Sequence, residues 1–271
     1  MVDPNVNKTR FNRIGARIIV VRAQEQSAIG RALLDAWTTT GLGFISWNKI
    51  YCLFPYVQFI QRKSYVLWDP SEKLNQVLAA QRSMGLEVLN VALLKDSFDT
   101  MTRSRRVGDK YTWTIELDTT GVQAPKRPDS VLESTTFCLV ETSSTVPGNT
   151  FRVSHYKMGS QRFLTHPVLQ HKFSVMNSSD HSRSHYHDKI NILFKRLNER
   201  TVLELGMINK DTRPAQYDQI LAGALTLAGS RDSFNLPETW KFSDDGVIEY
   251  LDKAWTALMK AEQKMERMQT A

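Results

Sequence analysis

The order of hydrophobic segments between Arg17 and Asp96 constrains this chain most. Six segments follow one another: RIIVVRA from Arg17, QSAIGRALLDAW from Gln26, GFISWNKIYCLF from Gly43, KSYVLWD from Lys63, PSEKLNQVLAAQRSMG from Pro70 and LEVLNVALLKD from Leu86. They read as strand, helix, strand, strand, helix, strand. That is the connectivity of a split βαβ sandwich, with both helices on one face of a four-stranded sheet. The other face of such a sheet is left open to a partner, often single-stranded RNA.

Local signals support the two helices. Ala28, Ile29, Leu33, Leu34 and Trp37 recur at close to a 3.6 period, and Thr38-Thr39-Thr40-Gly41 is a stop signal. Pro70-Ser71-Glu72 is good helix-opening chemistry, Leu74, Val77, Leu78 and Met84 fall on one side, and Gly85 fits a C-terminal cap. Beyond Asp99 the pattern changes. TWTIELD alternates strictly, with Trp113, Ile115 and Leu117 on one face, and Thr119–Ser130 reads as a loop. STTFCLVETSS and NTFRVSHYKM read as two antiparallel strands around Pro147-Gly148-Asn149. The last third is helical. Asp188 can cap a helix carrying Ile190, Leu193, Phe194 and Leu197, and Pro214 opens a second one closed by Gly229. The final helix carries Val247, Leu251, Trp255, Leu258 and Met265, with Asp244 and Asp245 at its start and Lys264 and Arg267 at its end.

The expected class is therefore α+β. A basic arm (1–16) precedes a ferredoxin-like βαββαβ domain (17–98). An antiparallel β region (99–176), a polar His/Ser loop (177–187) and a helical region (188–271) follow.

Charge narrows the partner. The net charge is +7, but it is concentrated. Residues 1–63 hold nine basic and three acidic side chains, residues 151–200 the same, and residues 231–271 six basic against eight acidic. Two basic blocks fit a polyanion footprint; two solvated faces are the plainer explanation. Cys52 and Cys138 form no metal-ligand spacing and read as buried small hydrophobes, which suits a reducing, cytoplasmic or nuclear compartment. No apolar run is long enough to span a bilayer, and the N-terminus lacks the apolar core of a secretory signal.

Within the first domain, Gln61-Arg62-Lys63-Ser64-Tyr65-Val66-Leu67-Trp68 resembles the third-strand signature of the RNA recognition motif. The resemblance implies that Tyr65 faces outward to stack a base while Val66 and Trp68 face the core. Lys63 stands where that family has a second stacking aromatic, the signature glycine is absent, and the first strand lacks an exposed aromatic. Such a module would use Tyr65 together with Arg62 and Lys63, or would have turned to protein contacts. Arg103, Arg105 and Arg106 follow the last strand and can reach the open face, and Arg152 and Lys157 lie in the second basic block.

All six histidines fall between His155 and His187. In SSDHSRSHYHD, His181, His185 and His187 sit among serines and aspartates, a setting that favours a solvated loop; a polyanion contact through His185 is a separate reading. On a helix, His181 and His185 could instead chelate zinc, and neutral-pKa imidazoles also serve metal-free ribonucleases. The chain has no phosphate-binding Gly-rich loop, nucleophile elbow or zinc-finger spacing. The expectation is a non-enzymatic nucleic-acid-binding or ribonucleoprotein-associated protein without metal or cofactor, RNA being the expected polymer. The alternatives are a protein-interaction subunit whose sheet face is covered by a partner, and a histidine-dependent nuclease.

Overall fold

The computed structural model describes residues 6–13, 16–23, 27–68, 71–90, 102–124, 129–145, 152–177, 184–213, 217 and 236–269. The protein is α+β, and it divides into two compact units, residues 29–161 and residues 1–28 together with 162–271.

The 29–161 unit begins in helix α1 (Ala28–Leu34), which ends before the expected Trp37. Strands β3 (Gly43–Ile45), β4 (Lys49–Cys52) and β8 (Trp113–Glu116) form an antiparallel sheet in the order β3-β4-β8. Strand β5 (Lys63–Val66), helix α2 (Glu72–Ser83) and strand β6 (Glu87–Asn90) form a parallel βαβ unit. Helix α2 starts as its sequence indicates, with Ser71 Oγ accepting from the Leu74 N–H. It ends at Gly85, whose φ of +77° is one that a side chain would resist. Short strands β7 (Arg105–Arg106) and β9 (Thr136–Phe137) pair with each other, flanking helix α3 (Asp129–Glu133). Strands β10 (Leu139–Thr145) and β11 (Arg152–Met158) make the expected antiparallel hairpin. Their common core includes Leu33, Leu42, Tyr51, Leu53, Phe54, Tyr65, Leu67, Phe137 and Leu139.

The expected four-stranded ferredoxin-like order is not seen among the described residues. The first expected strand, β2 (Ala16–Ala23), pairs with β1 (Val6–Arg13), the segment expected to be an arm. Strands β5 and β6 pair directly instead of flanking the first strand as the split connectivity requires. Residues 91–100, which carry the end of the last expected strand, lie outside the described residues. The physical reason is that segment order does not choose pairing partners. A strand-length hydrophobic run next to a second extended run is satisfied by a local hairpin, with far less loop to close than a crossover.

In the other unit, strands β12 (Gln161–Leu164) and β13 (Phe173–Met176) pair, and every residue of β13 is buried. Helix α4 (Ser184–Met207) packs against helix α5 (Asp244–Gln269). His185 and His187, expected in the polar loop, lie on α4; residues 178–183 lie outside the described residues. Their buried residues, Tyr186, Ile190, Leu193 and Leu197 on α4 and Val247, Leu251, Ala254 and Leu258 on α5, keep helical spacing. The Asp244 carboxylate accepts from the Gln170 and His171 backbone N–H groups, the Trp240 indole donates to Pro167 O, and the Tyr250 hydroxyl to Lys189 O. The helix expected between Pro214 and Gly229 lies almost wholly outside the described residues. Among the described residues no helix is long and apolar enough to cross a membrane.

Candidate nucleic-acid interface

The β3-β4-β8 sheet presents two unlike faces. On the inner one, Phe44 stacks on the buried Tyr51 at 4.9 Å. On the outer one the register aligns Ile45, Ile50 and Ile115, and next to them Cys52 and Trp113. Successive residues of a strand alternate faces, so one strand register fixes this whole set. The outer row is largely uncovered: Ile115 is 61 % and Trp113 49 % exposed. Burial raises the pKa of the half-buried Cys52 thiol and keeps it neutral.

The chain leaving β4 widens this surface. After Pro55 it makes a single π-helical turn, Tyr56–Ile60, closed by the Gln61 N–H on Tyr56 O at 3.0 Å. Such turns recur at functional sites because the wider winding re-aims side chains. Here Tyr56, Phe59 and Ile60 all point to solvent. Phe59 stacks on Trp113, with 5.7 Å between centroids and 9° between planes.

Beside this stack is a cavity of about 310 Å³ lined by Leu53, Phe54, Pro55, Tyr56, Val57, Arg103, Arg105 and Tyr111. Three cations surround Tyr111. Arg103 donates to its hydroxyl at 2.9 Å and lies 5.4 Å from the ring centroid, Arg105 also lies at 5.4 Å, and Lys110 Nζ at 5.0 Å. Cations over an aromatic face are held by the ring quadrupole, so this tyrosine gathers positive charge at the cavity.

The residues expected to bind nucleic acid have different fates. Tyr65 is a correction: it is 1 % exposed, inside the core, while Trp68, expected in the core, is 44 % exposed. Pairing with β6 and the hydrogen bond from the Tyr65 N–H to Thr39 Oγ1 set the opposite face of β5 inward. Arg105 is a second correction. It is 4 % exposed, paired with Asp109 at 2.6 Å and donating to Leu53 O and Thr112 Oγ1, so its guanidinium is engaged within the cavity wall instead of lying on an open sheet face. Arg62 takes a left-handed backbone (φ 53°), and its guanidinium donates to Met84 O, closing the C-terminal end of α2. Arg106 donates to Glu133 O, and Lys63 is half-buried opposite Glu87 in the β5–β6 register. Lys157 is half-buried on β11, and Arg152 pairs with Thr145 through the backbone, its side chain lying outside the described residues. His185 is exposed in the first turn of α4, in the other unit, and His181 lies outside the described residues. Of the expected set, Arg103 and Arg105 alone line the cavity.

Two other polar groupings are structural. Lys49 Nζ and the Tyr51 hydroxyl both bond to Glu133 Oε1, at 3.0 and 2.9 Å, while Trp47 and Asn48 donate to Asp129. These bonds fasten α3 to the β3–β4 turn. The Glu133 hydrogen bond raises the Lys49 pKa; burial, then Glu133, raises that of Tyr51. His166 is buried between Asn198 and Thr201, at 2.9 Å from each, and burial lowers its pKa so that the ring stays neutral.

Comparison of the chain with protein-family models, with curated proteins and with solved structures gives no match. The site therefore stands on its own geometry. Tyr56, Phe59, Tyr111 and Trp113 were not among the residues singled out for binding. The available signal was aromatic residues beside basic ones, Tyr56 and Phe59 before Arg62-Lys63, and Lys110-Tyr111 before Trp113.

Proposed function

We propose that this protein is a non-enzymatic binder of single-stranded nucleic acid, RNA being the expected polymer, working within a ribonucleoprotein setting through the aromatic surface of its 29–161 unit. One observation carries this: the same unit exposes the Phe59–Trp113 stack and a cavity lined by Tyr56, Tyr111 and Arg103, with Lys110 over the Tyr111 ring. Sequence-tolerant single-strand binding needs π-faces for bases and cations for phosphates, side by side. The basic composition agrees with it. The test is fluorescence anisotropy with an unstructured oligoribonucleotide. Phe59→Ala and Trp113→Ala should each weaken binding by ~1–3 kcal/mol. Lys110→Gln should flatten the log–log salt dependence by roughly 0.7 if that lysine neutralises one phosphate of a single strand. Unchanged affinity in both aromatic variants refutes this mode.

The aligned Ile45, Ile50 and Ile115 favour a second reading, a protein partner laid across the same sheet face. In that case the apolar row, not the aromatic stack, controls binding. Ile115→Ser would then abolish complex formation and leave oligonucleotide affinity untouched.

A further inference from the structure

We propose that the cavity between the π-helical turn and Tyr111 seats one unpaired nucleotide, base inward and phosphate at the Tyr111 end, where Arg103 lines the cavity and Lys110 lies over the ring. This names the ligand class of part of the surface proposed above and rests on that reading. Four features of the cavity define what fits.

Its size is the first. At about 310 Å³ it lies at the small end of ligand pockets, room for a single heterocycle with part of its sugar and not for a stacked pair. Its walls are the second. Leu53, Phe54, Pro55 and Val57 are apolar, and Tyr56 and Tyr111 add aromatic faces, so the body of the ligand is flat and apolar.

Rigidity is the third. Arg105 lies between Phe54 and Phe137, 5.2 and 5.7 Å from their centroids, and is tied to Asp109 by bonds of 2.6 and 3.0 Å. Asp109 in turn accepts from the backbone N–H groups of Arg106 and Tyr111. The wall that carries Tyr111 is thus fixed before any ligand arrives, which lowers the cost of ordering on binding. The buried Arg105–Asp109 pair contributes no net charge. Cation placement is the fourth. Arg103 lines the cavity and Lys110 sits over Tyr111, both on the Tyr111 side, so an anionic group belongs at that end.

A heterocycle with one phosphate at its edge has this shape and charge. Unstacking a base from a single strand is inexpensive compared with extracting it from a duplex. A pocket of this kind therefore selects single strands and fixes one nucleotide in register while the Phe59–Trp113 stack holds another.

The test is a saturation-transfer NMR titration of the full-length protein with the four nucleoside 5′-monophosphates, the corresponding nucleosides and ribose 5-phosphate. An unstructured oligoribonucleotide is titrated in parallel by anisotropy. At least one monophosphate should bind saturably, with its base protons receiving more saturation than its ribose protons. Its nucleoside and ribose 5-phosphate should both bind more weakly. Tyr56→Ala and Arg103→Gln should each weaken the monophosphate by ~5-fold or more, as loss of one stacking or phosphate contact does. Tyr56 is 61 % exposed, so its variant keeps the fold; Lys110→Gln is the second cation variant, and melting curves verify all three. No saturable monophosphate binding, ribose 5-phosphate binding as tightly as the nucleotides, or indifference to Tyr56→Ala and to both cation variants would each overturn the proposal. Oligonucleotide binding without monophosphate binding sinks the pocket and leaves the aromatic platform standing. The reverse pattern sinks the platform and keeps the pocket.

Discussion

Both units bury aromatic residues, but they differ in the ones they leave exposed. In the 162–271 portion, Phe173, Tyr186, Tyr217 and Trp240 are buried, and the large apolar side chains left exposed are aliphatic: Ile192, Val202, Leu203, Met207 and Met268. In the 29–161 unit, Trp47, Tyr56, Phe59, Trp68, Tyr111 and Trp113 are all exposed. Every strongly exposed aromatic among the described residues therefore belongs to one unit. Overall hydrophobicity does not separate the two, because exposed apolar surface is common in any protein. Ring chemistry does. Exposed aliphatic side chains offer only area, whereas exposed rings next to cations offer stacking as well.

The strongest way to break this comparison is to ask whether buried and exposed rings within the 29–161 unit differ energetically as their placement requires. Tyr65→Ala should destabilise by ~3–5 kcal/mol, a large-to-small change in a packed core. Trp68→Ala, at a surface position, should stay within about 0.5 kcal/mol. Urea unfolding measures both, and similar losses would mean that the inward face of β5 has been assigned the wrong way round.

A loss of similar size separates wall from rim at the cavity. Arg105→Gln breaks a buried pair and leaves Asp109 behind, which typically costs about 3–5 kcal/mol. Lys110→Gln, exposed, should leave the unfolding midpoint where it is and alter only binding. If Arg105→Gln folds normally and simply lowers nucleic-acid affinity, Arg105 is a ligand after all.

Next in size is the contrast between the units. Where Trp113→Ala lowers oligonucleotide affinity, Leu203→Ala and Met207→Ala, exposed on α4, should change it by less than about 0.5 kcal/mol. An equal loss from the α4 variants would place the binding surface on the helices.

The smallest effect is a pH dependence belonging to the helical portion. His166 has a folded pKa lowered by burial, below the ordinary value of 6.5. The unfolded chain thus takes up a proton that the folded chain refuses. The resulting stability is present above about pH 6.5 and is lost as pH falls through the lower folded value. His166→Gln should make the urea midpoint less sensitive to acid across that range. A midpoint with the same acid response in both proteins would show that His166 ionises freely in the fold.

Particular elements show how far the sequence reached. Helix α2 was legible because its signals are local: Ser71 caps it, Gly85 releases it, and Leu74 marks its buried side. The same holds for α5, where Asp244 and Asp245 open an amphipathic run, and for the antiparallel pairing of β10 with β11. The exposed aromatic face was not legible in this way. The alternation of Trp113 and Ile115 is plain in the sequence, but alternation states only that two faces differ, not which one is covered.

The sequence by itself determined where several of the helices and strands lie, α2, α5 and the β10 and β11 strands among them, because capping, periodicity and turn chemistry act over a few residues; it did not reveal β1 or α3. It also determined the excess of positive charge. Tertiary structure alone decided which strand pairs with which, and so whether Tyr65 or Trp68 meets solvent. It also decided that Arg105 closes on Asp109 inside a wall of rings. Strand pairing and burial depend on contacts between residues far apart in the chain. The side on which a β residue faces reverses with a single step of register, which no local pattern records.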